Sequence, residues 1–295
     1  MSNACTNTIF TNTLQVAELQ LLLATPQHVV LFDCRHDLAK PDWGAAQYAA
    51  GHLVWGSNSA QFANLDTDLS AAKTGRNGRH PLPDRNAFIA WLAAKGVTPT
   101  SQVVCYDQID GMFAARLWWM CRWAGLHQVA VLAGGYPAWL AAGGAVSAAI
   151  VEPTPQATWH LPALETVLST EEVLNNLTHP KFTLIDARAP ERYRGEVEPM
   201  DPVAGHIPAA KNHFFKRNVT ADGSFTEQMR PLWQATLNQQ SPTQFAHSCG
   251  SGATACHNIL ALHVAGLVAF HEPSKLYAGS WSEWCSNPAR PIAKG

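Results

Sequence analysis

The chain has 295 residues, which at roughly 150 residues per domain suggests two domains or one large one. Lysine and arginine number 20 against 22 aspartates and glutamates, a formal charge of −2 that leaves no positive excess to hold a nucleic-acid backbone. With 47% hydrophobic residues, 14% charged residues and 11 tryptophans, the composition excludes a disordered chain and allows a sizeable core.

Residues 1–10 show no basic stretch leading into an apolar run, so no secretory leader is expected. A helix is predicted over 14–24 and a strand over 28–32 (HVVLF), then a helix over 85–94 with Asp84 as its cap. A strand at 103–106, a helix at 111–124 and a strand at 128–132 follow. Segment 145–163 is rich in Ala, Pro and Thr, includes Pro153 and Pro155, and reads as a linker between domains at 1–144 and 164–295. Beyond it, 182–185, 243–248 and 267–270 read as strands and 254–265 as a helix. The most apolar stretch, 259–270, is interrupted by His263 and too short to cross a bilayer, so no membrane partner is expected. Short β-rich runs alternating with amphipathic stretches predict an α/β fold, each domain a mainly parallel sheet flanked by helices.

The two halves repeat in order. LFDCR at 31–35 matches LIDAR at 184–188, and Gly51-His52-Leu53 matches Gly205-His206-Ile207. The run VVCYDQIDGMFAAR, beginning at Val103, matches QFAHSCGSGATACHN, beginning at Gln244, which sets Asp107 opposite Cys249. LAGGYPAW at 132–139 matches YAGSWSEW at 277–284. Four motifs recurring in one order imply a tandem duplication. His52 and His206 recur in both halves and are therefore expected to be structural.

Seven cysteines (Cys5, Cys34, Cys105, Cys121, Cys249, Cys256 and Cys285) are too few and too irregular for a disulfide scaffold. An odd count leaves an unpaired thiol, which fits a reducing, cytoplasmic compartment. Cys249 differs from the others. It follows a strand and opens the run Gly250, Ser251, Gly252, Ala253, Thr254 before a helix. Gly250 and Gly252 allow backbone angles closed to other residues, so successive N–H groups can converge on one spot, assisted by the helix N-terminus. Such a turn suits a thiolate and equally a persulfide. Cys34, Cys105, Cys121 and Cys256 read as packing residues.

The CGSGATA loop, the tandem halves, the Gly-His-Ile-Pro segment at 205–208 and YAGSWSEW together resemble the two-domain rhodanese family of sulfurtransferases, from about residue 16 to 291. The loop is closer to the mercaptopyruvate-type signature than to the basic loop of thiosulfate-type members. The resemblance implies an inactive N-terminal domain, a catalytic C-terminal domain, a persulfide on Cys249 and no metal or organic cofactor. It also implies that Cys249 takes sulfur from a small anionic donor and passes it to cyanide, a small thiol or a thioredoxin-like acceptor by double displacement. In the family's pattern the N–H groups from Gly250 through Thr254 cradle the sulfur and Ser251 lies near it. Arg192 takes the place of a substrate-binding arginine, suited to a donor carboxylate or sulfonate-like group. His80 matches a histidine placed over the site from the N-terminal domain, with Asp66 or Asp68 as its partner. One departure stands out: residues 198–202 read Glu-Pro-Met-Asp-Pro where mercaptopyruvate-type members carry a second arginine, which keeps thiosulfate in contention as donor.

Readings from other classes remain. A non-catalytic persulfide carrier would have the same loop. The string from Gly250 to Ala255 also fits G-x-G-x-x-A, a dinucleotide fingerprint, with Glu272 placed as a ribose-binding acid; an isolated match of this kind is weak. A cysteine phosphatase would need an arginine at the end of the loop, where Ala255 stands. Cys249, Cys256 and His257 lack the spacing and the fourth partner of a metal site.

Overall fold

The computed structural model describes residues 9–295; Cys5 and all but two residues of the inspected leader window lie outside them. The chain forms two five-stranded sheets. The first runs in space Thr13–Leu14, Val129–Leu132, Gln102–Tyr106, Val29–Asp33, Gln61–Phe62, with every neighbouring pair parallel. The second runs Thr166–Val167, Lys275–Leu276, Phe245–Ser248, Thr183–Asp186, Lys211–Asn212, again parallel throughout. The two orders correspond strand for strand, so the repeated motifs are repeated positions. The strands Val29–Asp33 and Gln102–Tyr106 are buried at every residue, as a parallel sheet covered on both faces requires.

The repeated motifs build the same small network twice. Arg35 Nη2 pairs with Asp33 Oδ2 at 2.6 Å and donates to the Gly51 carbonyl; Arg188 Nη2 pairs with Asp186 Oδ2 at 2.6 Å and donates to the Gly205 carbonyl. His52 bonds the Tyr48 carbonyl and stacks on that ring at 4.2 Å, and His206 does the same with Tyr193 at 3.8 Å. Both histidines thus lock a turn after the helix that precedes them, the structural role expected of them.

The halves meet through the helices that follow the two matched turns. In helix Ala114–Trp123 every residue from Ala114 to Arg122 is buried, and it packs on helix Ala253–Val264 in one core shared by Trp118, Trp119, Cys256, Ile259 and Leu260.

The predicted elements agree with those observed to within three residues, with one exception. Helices Trp43–Ala50, Gly135–Ala141, Thr170–Asn176 and Met229–Leu237 have no predicted counterpart. Helix Arg85–Ala94 has the expected cap, the Asp84 carboxylate accepting the Ala87 N–H at 2.9 Å. The exception is 267–270, which is not a strand. Gly266, at φ +64, turns the chain out of the helix, and Leu267 and Val268 pack against the cluster of Ile185 and Trp233. The ladder position passes to Lys275–Leu276. Apolarity there serves packing, which periodicity cannot distinguish from pairing. Segment 145–163 is also less free than its composition suggests. Val146–Ser147 pairs antiparallel with His52–Trp55, and Trp159 is buried with its indole N–H on the Ala124 carbonyl.

Candidate active site

Strand Phe245–Ser248 delivers Cys249 to the end of the central ladder of the second sheet, and helix Ala253–Val264 starts four residues later. Gly252 caps that helix at φ +86, and a Cβ there would lie 2.6 Å from the Ala278 carbonyl oxygen, so both conformation and space demand glycine. Gly250 is different: its φ is not positive, and a Cβ there would stand 2.7 Å from Arg79 Nη2, the mobile end of a side chain. The sequence argument for unusual backbone angles therefore holds for Gly252 and is corrected for Gly250.

Cys249 Sγ accepts the N–H groups of Gly252 at 3.0 Å and Ser251 at 3.4 Å. Gly250, Ala253 and Thr254 line the cleft above it, without bonding Sγ. The Cys249 N–H donates to Ser280 Oγ at 3.0 Å, whose hydroxyl donates in turn to the Tyr277 carbonyl. Ser280 has φ +52, a left-handed conformation rare for a serine, at the position where the first half has Gly135 at φ +56. Sequence reading missed this residue, although the Ser-for-Gly difference between YAGSWSEW and LAGGYPAW marked it.

The other cysteines among the described residues behave as core. Burial pushes the Cys256 thiol up to about 12 and raises Cys34, Cys105 and Cys121 as well. Cys256 spends its S–H on the Gly252 carbonyl at 3.1 Å.

Above the loop, His80 reaches across from the first half and lies 2.7 Å, through Nδ1, from Ser251 Oγ. Its Nε2 faces Asp66 Oδ1 at 3.5 Å, which settles the choice left open in the sequence: Asp68 instead accepts the Asn64 N–H at 2.8 Å within its own turn. The bond to His80, helped by Lys73, holds the Asp66 carboxyl well below the usual carboxylate range, and burial lowers His80. A neutral His80 with its proton on Nε2 toward Asp66 leaves Nδ1 to accept from the Ser251 hydroxyl.

The cations are arranged differently from the sequence expectation. Arg192 lines the cleft, but its Nη2 is held by Glu198 at 2.6 Å and by Asp201 at 3.5 Å. Asp201, in the segment that lacks the second arginine, also pairs with Arg79 from the first half. A second guanidinium is therefore present, recruited from the other domain. Burial raises Glu198, and Arg192 with the Met200 N–H outweighs it, so that carboxylate stays ionised below its ordinary value. Arg79 Nη2 and Arg192 Nη1 make no hydrogen bond among the described residues, and both approach the point where a Gly250 Cβ would stand, at 2.7 and 3.7 Å. Sequence reading missed Arg79; its adjacency to His80 was the available signal. The cleft holds about 150 Å³ and adds Leu38, Met112, Met200 and Phe214 to these groups.

The rhodanese-like domain pattern matches this sequence twice, at residues 15–142 and 169–287. The chain belongs to the rhodanese family. It is 43% identical over 96% of its length to a Pseudomonas aeruginosa protein named "Probable 3-mercaptopyruvate sulfurtransferase", covering 98% of that chain. It is 35% identical to the thiosulfate sulfurtransferase of Bos taurus over 69% of each chain. Among solved structures, the 3-mercaptopyruvate sulfurtransferase from Leishmania major superposes with a TM-score of 0.76 at 30% identity, over 96% of this chain and 75% of that one. Glu272, offered by the G-x-G-x-x-A match as a ribose-binding acid, is partly buried and accepts the Ala269 N–H in a turn. Among the described residues no group of His, Cys, Asp or Glu could hold a metal ion, and no helix is long and apolar enough to cross a membrane.

Proposed function

We propose that this rhodanese-family sulfurtransferase moves a sulfane sulfur from 3-mercaptopyruvate to a thiol, cyanide or thioredoxin-like acceptor through a persulfide on Cys249. Residues 1–144 form the non-catalytic unit, 145–163 the connection and 164–295 the catalytic unit, acting in the cytoplasm without cofactor. The observation that carries the reading is that Cys249, held by two N–H donors, opens on one cleft with Arg79, Arg192 and Ser251, the last tied to His80 and Asp66.

Arg79 and Arg192 hold the donor carboxylate through paired hydrogen bonds and direct its sulfur at Cys249. The thiolate attacks that sulfur; the S–S bond forms as the donor C–S bond breaks, and the electron pair leaves as the pyruvate enolate. The enolate needs a proton: with Nδ1 of neutral His80 accepting from Ser251, the Ser251–His80–Asp66 chain takes up the proton of the donor S–H, and Ser251 returns it to the enolate carbon, leaving an anionic persulfide. Gly250, Ser251, Gly252, Ala253 and Thr254 surround the outer sulfur of the persulfide and favour its negative charge. An acceptor thiolate or cyanide then attacks the outer sulfur, and the Cys249 thiolate departs.

Thiosulfate is the second reading, favoured by the cationic pair alone, since sulfite leaves as a stable anion without a proton. Specificity constants for both donors, with cyanide as acceptor, decide between them; mercaptopyruvate is expected to exceed thiosulfate by about tenfold or more. The reverse order would overturn the choice of donor. Cys249→Ser is expected to abolish transfer, and surviving activity would overturn the site. A carrier would release one equivalent of thiocyanate and stop, whereas the enzyme continues with excess donor.

A further inference from the structure

Arg116, in helix Ala114–Trp123 of the first half, is 0% exposed. One nitrogen is used twice: Nη2 donates to the Leu69 carbonyl at 3.2 Å and the His80 carbonyl at 3.1 Å. Nε and Nη1 have no hydrogen-bond partner, and no carboxylate pairs with the group among the described residues. A buried guanidinium left unpaired is costly, so a fold that keeps one has placed it against something that becomes negative. What it faces is the floor of the sulfur loop. Nη1 lies 3.0 Å from the point where a Gly252 Cβ would stand, and the Gly252 N–H is the shorter of the two bonds to Cys249 Sγ. Burial lowers the Arg116 guanidinium, and the neighbouring Cys256 and Cys249 sulfurs oppose that effect.

We infer that Arg116 is a positioning residue for sulfur transfer: it fixes His80 through the carbonyl, supports the loop beneath Gly252, and supplies from the domain interface the fixed positive charge that answers negative sulfur on Cys249. The first domain then contributes more than a lid, because its buried helix carries a charge that the second domain's own loop lacks. Solvent and salt do not reach this charge, unlike the partly exposed Arg79 and Arg192, so its field at the loop is weakly screened. Arginine keeps its proton under such burial where lysine gives it up more readily. The inference rests on Cys249 as the nucleophile.

The test is the rate at which neutral iodoacetamide alkylates Cys249 at pH 7, located by peptide mapping, together with steady-state transfer and a thermal melt. Arg116→Met is expected to slow alkylation and kcat by about tenfold or more while the donor KM, set by Arg79 and Arg192, moves less than about twofold. Alkylation of Arg116→Met at the parent rate would overturn the inference. Should Arg116→Met not fold, the parent protein gives the answer: its alkylation rate is expected to change less than about twofold between low and high salt. A fall of about fivefold or more would locate the charge on Arg79 and Arg192 instead. Transfer surviving in Cys249→Ser would be a separate failure, of the site reading and not of Arg116.

Discussion

Asp107 and Cys249 occupy the same point of the same turn in the two halves. Each follows the central strand of its sheet, and each carbonyl accepts one N–H at 2.9 Å, from Tyr136 and Trp281 respectively. The difference lies in what fills the turn. The Asp107 carboxylate accepts Ile109 and Gly111 on one oxygen, at 3.1 and 3.0 Å, and Phe113 and Ala114 on the other, at 2.9 and 3.2 Å. Its four donors are thus already occupied by a tethered anion. Around Cys249 two donors meet the sulfur and the rest of the loop stays open to a cleft.

Replacing Asp107 with Ala should therefore affect stability and leave chemistry alone. Four buried N–H groups would lose their acceptor, yet burial and Asp110 push the Asp107 carboxyl up to about 6, so the charged form is not strongly favoured there. A loss of about 2 kcal/mol in urea unfolding is expected, with transfer per folded molecule unchanged. Impaired transfer at parental stability would show that the first turn takes part in the reaction.

Asp66 and Asp68 differ by two positions and by role. Asp66→Asn is expected to lower kcat with mercaptopyruvate by about tenfold or more and to spare thiosulfate, whose leaving group needs no proton. Asp68→Asn should cost about 1 kcal/mol through its turn and leave both donors unaffected. Equal losses with the two donors would remove the His80 chain from proton transfer.

Arg79→Ala should raise the donor KM about as much as Arg192→Ala, roughly tenfold each, because both free nitrogens face the same side of Gly250. A KM that responds to Arg192 alone would place Arg79 outside the donor site and return the clamp to a single arginine.

Local and repeated features were legible in the sequence. The Asp84 cap, the two Asp-x-Arg segments and the turn at Cys249 rest on short motifs that either cap an element or recur between halves, whereas His80 was offered by the family resemblance alone. Arg79 and Arg116 were not legible, because their roles depend on which domain surface meets which, and no periodicity encodes that. Residues 267–270 were misread for a related reason: an apolar run states that it is buried, not whether it pairs. Gly250 gives the same lesson in small, since a glycine need not mark an unusual backbone angle.

Ser280 offers a separable test of strain against hydrogen bonding. Ser280→Ala keeps the left-handed conformation and loses the acceptor for the Cys249 N–H, so both costs remain. Ser280→Gly loses the same acceptor but relieves the conformation, and should be more stable than Ser280→Ala by roughly 1 kcal/mol. The reverse order in urea unfolding would mean that the turn is not strained.

Acid should unfold this protein through its buried histidines. Burial lowers His213 to about 4, and His247 and His263 to about 3, and the rings of His247 and His263 hold nitrogens without partners. Each stays neutral in the folded chain below pH 6.5, whereas the unfolded chain takes up a proton there. The unfolded state therefore binds more protons between about 6.5 and 4, and stability present above 6.5 is lost as pH falls through that window. Each histidine contributes a slope of about 1.4 kcal/mol per pH unit, and His257, which burial also lowers to about 4, acts with them. Asp107 and Glu165, raised by burial to about 6 and about 7, hold protons in the folded chain and oppose two of the four, leaving about 3 kcal/mol per unit near pH 5. His247 packs edge-on against Trp233 at 6.0 Å, and His247→Leu fits that apolar setting while removing one titrating group. Its slope should fall by about 1.4 kcal/mol per pH unit. Urea unfolding at pH 7, 6 and 5 reads both values, and a parent protein equally stable at all three would show that these rings are not held neutral by the fold.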